Sequence, residues 1–454
     1  MNKLMERTIA AISTAYGESG IGIVRMSGPS AVLIAEKVFE KKLENRRMIL
    51  GKVTDENGNV IDEVLGVLMQ GPHSYTGEDV VELQCHGGLL ATKSILELLL
   101  RNGAVMAERG EFTKRAFLNG RMDLSQAEAV IDLIKARSDK SYGSAISQME
   151  GALSDAIKGV RKNLMDLLVD LTVNMDYPDE DIEQITYKKI EDSLSQIADK
   201  LCKLKDSAGE GRIVREGLSV AIVGKPNVGK SSLLNAFLRE NRSIVTSVPG
   251  TTRDTVEEQA QVRGFTIHFI DTAGIHQSED EVESIGIERS KAALSKADLL
   301  LVVLDGSQKL EDEDKEILDQ SEDIPRIIIL NKTDLGKKIS EKDFGQDKEI
   351  KGIEVSIKNG IGLDKIEDAI ESYISGGKVR REEDLLLTNV RHINLVEQAL
   401  KEVQQAQLMV SQKEAIDFIE VNAKAAFDYL GEIIGETATD QVINEVFARF
   451  CLGK

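Results

Sequence analysis

Leu218-Ser-Val-Ala-Ile-Val223, Gly224-Lys-Pro-Asn-Val-Gly229-Lys230-Ser231 and Ser232 to Leu238 follow one another without a break: an apolar run, a glycine-bounded turn and a helical period. The middle piece matches G-x-x-x-x-G-K-[ST], and the strand before it and helix after it are the setting that gives the match its meaning. There the loop amides and the helix N-terminus cradle phosphate oxygens. Lys230 reaches the β- and γ-phosphates, and the Ser231 hydroxyl ligates Mg²⁺. From about 213 to 378 strands and helices alternate, the pattern of a parallel sheet.

Three further stretches follow in order. Gly250-Thr251-Thr252 lies on a loop beginning at Pro249, where a threonine hydroxyl can complete the Mg²⁺ shell. Ile267-His-Phe-Ile-Asp271-Thr272-Ala273-Gly274 reads as a strand ending in an Asp near the metal and a Gly amide near the γ-phosphate. Ile327-Ile-Ile-Leu-Asn331-Lys332-Thr333-Asp334 ends a strand in N-K-x-D, whose Asp334 carboxylate can accept from guanine N1–H and from the exocyclic amine. Adenine does not offer those donors together, and a mismatched buried polar edge is expensive. Val355-Ser356-Ile357-Lys358 is a fainter fifth element at the base. Together they predict a guanine nucleotide site. The position after the D-x-x-G glycine is Ile275, which cannot orient a water as Gln does in Ras-type enzymes. The acidic run Ser278 to Glu283 holds candidates for that task, or is a solvated face. Asn227, inside the loop, either stabilises its turn or offers an amide oxygen to a monovalent cation beside the β/γ bridge.

The chain has 454 residues, with 57 Lys and Arg against 77 Asp and Glu, a net charge of −20. Two to four domains are expected at that length. With 41% hydrophobic residues, wholesale disorder is excluded. The acidity argues against non-specific coating of nucleic acid, and the absence of Trp against a base-stacking platform. Cys85, Cys202 and Cys451 lie far apart, with neither disulfide nor zinc spacing, which reads as free thiols in a reducing cytoplasm. Runs such as Leu299 to Leu304 are too short to span a bilayer, and the N-terminus lacks the pattern of a secretory signal.

Residues 1–118 carry β-like runs at Ile21 to Arg25, Glu63 to Met69 and Asp79 to Leu83 and a helix over Ser94 to Leu100, which predicts an α+β domain. Residues 119–212 turn helical: Ser125-Gln-Ala-Glu128 reads as a capping box, and Leu153, Ile157, Val160, Leu164, Leu167 and Leu171 share one face. Tyr177-Pro178-Asp179 stops that helix, and Glu180 to Gly209 reads as another. After the α/β segment 213–378, helical period returns over 379–454 at Val396, Leu400, Val403, Val442, Val446 and Phe450. The economical reading is one helical domain interrupted by an insertion, since each half alone would struggle to bury its apolar faces; two separate helical modules are the alternative.

Beyond the nucleotide motifs, Gly20-Ile-Gly-Ile-Val-Arg25-Met-Ser-Gly28, Ser74-Tyr-Thr-Gly-Glu-Asp-Val-Val-Glu82-Leu-Gln-Cys-His-Gly-Gly88, Arg109-Gly-Glu-Phe-Thr-Lys-Arg-Ala-Phe-Leu-Asn119 and Cys451-Leu-Gly-Lys454 resemble the MnmE (TrmE) family of tRNA uridine-modification GTPases over the whole chain. The resemblance implies a tetrahydrofolate-binding N-terminal domain that drives homodimerisation, a discontinuous all-α domain and an inserted Ras-like P-loop GTPase domain. It implies that Arg25, Glu82, Arg121 and Lys454 hold 5-formyl- or 5,10-methylene-tetrahydrofolate; the family commonly has Lys where this chain has Arg121. For GTP it implies Asn227, Val228, Gly229, Lys230, Ser231 and Ser232; Thr246, Ser247, Val248, Pro249, Gly250, Thr251 and Thr252; Asp271, Thr272, Ala273 and Gly274; Asn331, Lys332, Thr333 and Asp334; and Ser356, Ile357 and Lys358. Asn227, Thr246, Val248 and Thr251 would surround K⁺, and Ser231 and Thr252 would hold Mg²⁺. Lys230, Thr252 and Glu283 would be catalytic, Glu283 by positioning the attacking water. It also implies a flavoprotein partner, MnmG, that carries FAD, with which the family modifies C5 of the wobble uridine of certain tRNAs in the cytoplasm, without a membrane span. Arg101, Arg109, Lys114, Arg115 and Arg121 form a basic cluster open to RNA contact, or to pairing with a folate tail or within the structure. Cys451 is a candidate for the base chemistry or a packed terminus. The rival reading is a GTPase switch in ribosome assembly or signalling, with no role in base chemistry.

Overall fold

The computed structural model describes residues 6–176, 186–240, 258–270, 297–339, 352–377 and 385–454. In chain order its first elements are β1 (Ile9–Ile12), β2 (Ser19–Ser27), α1 (Ala31–Val38), β3 (Ile49–Thr54), β4 (Val60–Met69), β5 (Val80–Gly87), α2 (Leu89–Arg101), β6 (Val105–Met106), α3 (Glu111–Leu118), α4 (Leu124–Lys135), α5 (Asp139–Met149), α6 (Ala152–Asp176), α7 (Tyr187–Asp206) and α8 (Ala208–Glu216). Then come β7 (Leu218–Val223), α9 (Lys230–Glu240), β8 (Glu258–Val262), β9 (Phe265–Phe269), β10 (Leu299–Asp305), α10 (Asp312–Gln320), β11 (Arg326–Asn331), β12 (Ile353–Glu354), α11 (Leu363–Ile374), α12 (Val390–Gln412), α13 (Ile416–Ile434) and α14 (Asp440–Ala448). The chain divides into two compact units, one of Met1–Ile134, Ser147–Ile197 and Gln398–Lys454, the other of Lys135–Ile146 and Ala198–Glu397.

The first unit contains a sheet in the order β3-β4-β5-β2-β1-β6. All pairings are antiparallel except β1 with β6. Along β4, Val64, Gly66 and Leu68 are buried while the residues between them are not, so one face carries the core and the other does not. That face packs with Ile34 and Val38 of α1 and Ile95 and Leu99 of α2. Of the runs read from sequence, Ile21 to Arg25 is the middle of β2, Glu63 to Met69 the last seven residues of β4, and Asp79 to Leu83 reaches from just before β5 into its first half; β1, β3 and β6 are too short or too irregular in pattern to stand out.

On α6 the six residues assigned to one face, Leu153 through Leu171, are all buried. They belong to a helix that packs along α13, whose small Ala423 and Ala426 are buried too and permit close approach of the two backbones. Arg161 places its guanidinium 4.0 Å from the Phe427 ring and pairs with Glu436. The cap of α4 differs from the sequence expectation. The reciprocal pair is Asp123 with Gln126: Asp123 Oδ1 accepts from the Gln126 amide at 3.1 Å, and Gln126 Oε1 accepts from the Asp123 amide at 3.0 Å. Asp serves as well as Ser at that position. Ser125, already inside the helix, is buried and meets Ser154 Oγ at 2.9 Å instead. The helix expected over Glu180 to Gly209 is α7, which ends at Asp206, with α8 starting at Ala208; residues 180–185 lie outside the described residues.

The second unit is built on a sheet in the order β12-β11-β10-β7-β9-β8. β7, β9, β10, β11 and β12 run parallel, and β8 is antiparallel to β9. Every residue of β10 is buried. Leu299, Leu301 and Val303 enter one core and Leu300, Val302 and Leu304 the other, as a strand covered on both faces requires. β7 has β9 on one side and β10 on the other, so the loop after β7 opens where strand order reverses, the place where such sheets take ligands. Residues 135–146 belong to this unit. Arg137 Nη1 donates to Gln259 Oε1 at 2.8 Å; Lys140 Nζ lies 3.8 Å from the Phe265 ring centroid and 3.0 Å from Glu371 Oε1.

Candidate functional site

β7 ends at Val223 and α9 begins at Lys230, so the phosphate-binding motif is the loop between them, with Ser231 and Ser232 in the first turn of the helix. Gly229, at φ +109°, is required here: a Cβ would lie 2.3 Å from Asn331 Nδ2. That contact follows from how Asn331, at the end of β11, is used. Its Nδ2 donates to the Val228 carbonyl at 2.8 Å, and its Oδ1 accepts from the Ile357 amide at 3.1 Å. One buried amide therefore joins the loop, the N-K-x-D strand end and the 356–358 turn. Asp334 Oδ1 accepts from Ser356 Oγ at 2.7 Å, and Thr333 Oγ1 donates to the Val355 carbonyl at 2.9 Å. Lys332 pairs with Asp305 at 2.8 Å.

Lys230 Nζ donates to the carbonyls of Gly224 at 2.8 Å and Lys225 at 2.6 Å. Burial pulls its pKa below the usual lysine value, because its charge is poorly solvated. An anion laid in the loop would be a better partner than two carbonyls. Asn227 is exposed, with φ +61°, a conformation Asn tolerates in turns. Thr246, Ser247, Val248, Pro249, Gly250, Thr251, Thr252, Asp271, Thr272, Ala273, Gly274 and Glu283 lie outside the described residues.

A second polar cluster lies in the first unit. Arg25 on β2 and Glu82 on β5 are direct cross-strand partners, and the sheet register brings Arg25 Nε and Nη2 each to 2.8 Å from Glu82 Oε1. Arg25 stacks at 5.5 Å over the Tyr75 ring and 5.7 Å over Phe112. Arg121 stacks over Tyr75 too, at 5.0 Å, and donates to its carbonyl at 2.6 Å. Residues 451–454 are held by backbone contacts: the amides of Gly110 and Phe112 donate to the carbonyls of Cys451 and Lys454 at 3.3 and 3.2 Å. Lys454 is depressed below the usual lysine value by burial and by the charge of Arg25, against the opposing pull of Cys451 and Glu82. Arg25 and Arg121 thus flank the Tyr75 ring, Glu82 balances the charge of Arg25, and Lys454 lies near enough to feel both Arg25 and Glu82. Cys451 is exposed.

Sequence reasoning missed Tyr75 and Phe112 as members of this cluster, and Lys225 and Asp305 around the loop. The stretch around Tyr75, between β4 and β5, carried no signal, because its partners Arg25, Thr113 and Arg121 lie in other segments. The basic cluster loses Arg115, which is fully buried and paired with Glu78 at 3.0 Å and Glu111 at 2.9 Å.

Comparison with known proteins accounts for the chain from end to end. A family model described as the GTP-binding protein TrmE N-terminus matches residues 8–121, and one described as the MnmE helical domain matches residues 124–451. The tRNA modification GTPase MnmE of Alkaliphilus metalliredigens is 47% identical over 462 residues, covering 99% of this chain and all of that protein. The proteins of the same name from Alkaliphilus oremlandii and Clostridioides difficile are each 47% identical, again over 99% of this chain and all of theirs. With both family models matched and full-length relatives at 47% identity, the chain belongs to the MnmE family of tRNA modification GTPases.

Proposed function

We propose that this chain hydrolyses GTP to drive modification at C5 of the wobble uridine of tRNAs, with a flavoprotein partner, MnmG, that carries the FAD. The observation that carries the GTP part is the Asn331 clasp, which ties the phosphate loop to the base-facing turn. Asp334, oriented by the Ser356 hydroxyl, is preset to accept from guanine N1–H and the exocyclic amine. On binding, Lys230 exchanges the carbonyls of Gly224 and Lys225 for β- and γ-phosphate oxygens. Ser231 and Thr252 are proposed as the Mg²⁺ ligands, and Asn227 with oxygens of Thr246, Val248 and Thr251 as the K⁺ cage. These ions supply positive charge against the charge that develops on the phosphates. Glu283, standing in for the glutamine that Ile275 is not, orients the attacking water.

Arg25, Glu82, Arg121 and Lys454 are proposed to hold 5-formyl- or 5,10-methylene-tetrahydrofolate, the source of the added carbon, with Cys451 beside it. The desolvated Lys454 and the stacked Arg121 favour an anionic ligand there. We place the folate domain at 1–118, the helical domain at 119–212 and 379–454, and the inserted GTPase domain at 213–378. Homodimerisation draws support from exposed Tyr16, Ile21, Leu89 and Leu90, of which Tyr16 and Leu89 line one cleft of the N-terminal unit. Among the described residues no helix is long and apolar enough to cross a membrane. The test is nucleoside analysis of tRNA from a strain lacking this gene. Unmodified wobble uridines, restored by the wild-type gene, are expected; unchanged wobble uridines in the deletion strain would overturn the reading.

A further inference from the structure

Lys225 occupies a variable position of the loop motif, where sequence alone treats it as a spacer. Its ammonium lies 2.8 Å from Asp314 Oδ2 and 2.8 Å from Glu311 Oε2, both at the start of α10. The side chains of Lys225 and Asp314 are 11% and 4% exposed, so this is no surface ion pair. Asp314 Oδ2 also accepts from the Glu311 amide at 2.9 Å, closing the capping box of α10. Its other oxygen, Oδ1, is buried with no hydrogen-bond partner among the described residues, so Lys225 is what compensates this carboxylate. Burial alone would depress Lys225, but the hydrogen bonds to Asp314 and Glu311 outweigh it and hold its pKa above the ordinary value. The carbonyl of the same residue is where Lys230 rests, at 2.6 Å.

We propose that Lys225 is the positioning residue of the loop: fastened to Asp314 and Glu311, it spends its charge on α10 and fixes the carbonyl that presets Lys230 for the phosphates. Lys225 does not itself touch nucleotide. The clasp acts before binding, since a bound γ-phosphate would hold Lys230 by itself. Loosening it therefore raises KM for GTP and the Kd for GDP while kcat at saturation stays close to wild type.

This inference rests on the loop binding a guanine nucleotide, and the test separates the two. Fluorescent GDP titration and steady-state GTP hydrolysis are run on the full chain as wild type, Lys225→Met, Lys225→Arg, Asp314→Asn and the double variant Lys225→Met/Asp314→Asn. Wild type that fails to bind GDP defeats the nucleotide reading itself. Given wild-type binding, Lys225→Met and Asp314→Asn are each expected to raise KM about tenfold, as misplacement of a positioned group does. The double variant is expected to be no worse than the poorer single one, because both break the same link. Lys225→Arg, which keeps the charge on α10, is expected to bring KM back to within about twofold of wild type. Unchanged KM in Lys225→Met, or additive losses in the double variant, overturn the proposal. If Lys225→Met does not fold, Glu311→Gln decides: it spares buried Asp314, and a rise of about threefold in KM without a change in melting temperature is expected. An unchanged KM there overturns the proposal equally.

Discussion

A guanidinium taken out of water is tolerable only when every charge around it is matched, and Arg115 meets that condition. Glu111, Glu78 and the Arg7 carbonyl surround it at 2.9–3.0 Å. Nothing in the run Lys114-Arg115-Ala116 announces this, since Glu78 lies far upstream and the nearer Glu111 sits one helical turn back, where an exposed pair would look the same. Arg115→Leu would remove the buried counter-charge of two carboxylates, leaving Glu78 with Ser27 and Glu111 with the Glu108 amide and a more distant Arg7, and is expected to destabilise the first unit by about 3–5 kcal/mol in urea unfolding. Cys85 makes a different case. Burial, helped by the charge of Asp62, pushes its thiol up to about 11 from an ordinary 9.0. A raised thiol pKa favours the fold below the unfolded value, and that contribution fades as pH climbs from about 9 through about 11. At pH 8, iodoacetamide followed by mass spectrometry should therefore label exposed Cys451 well before Cys85. At Asp334, replacement by Asn should weaken GTP binding and shift preference toward xanthosine nucleotides, since the carboxamide can donate to a base carbonyl. Competition binding reads this directly, and retained guanine preference would remove Asp334 from the base-reading role.

Elements whose identity rests on their own sequence period were the legible ones. β10 is an unbroken apolar run because both of its faces are covered, and α6 repeats Leu, Ile and Val at three and four because one face meets α13. Leu164→Ala, on that buried face, should cost about 2–5 kcal/mol, measured as a lower urea midpoint. Ala426→Leu should also destabilise, by about 1–3 kcal/mol, because the close approach of α6 leaves no room. Helix starts were less legible. Asp123 and Ser125 are both good caps, and only the burial of Ser125 against Ser154 decides between them. The two-residue β6 exists solely because β1 offers it an edge.

Across the whole molecule, the nucleotide loop was legible because its chemistry is packed into eight consecutive residues. The Arg25, Glu82, Arg121 and Lys454 cluster was reachable only by resemblance: strand register aligns the first pair, Tyr75 joins the third and backbone hydrogen bonds from α3 seat the fourth. The proposed K⁺ cage makes a prediction at this scale. Turnover of the full chain should fall when K⁺ is replaced by Na⁺ at constant ionic strength, and equal rates would return Asn227 to a turn-stabilising residue. The short stretch 135–146 carries a last implication. A nucleotide-binding fragment cut at 213 and 378 leaves Lys140 behind, so the Phe265 ring loses its cation and Glu371 its counter-charge. Such an excised piece should melt about 2–4 °C below one that keeps residues 135–146 on a linker, by calorimetry. Its autonomy is on loan from sequence well upstream, and truncation studies that ignore the loan would mistake a missing clasp for intrinsic fragility.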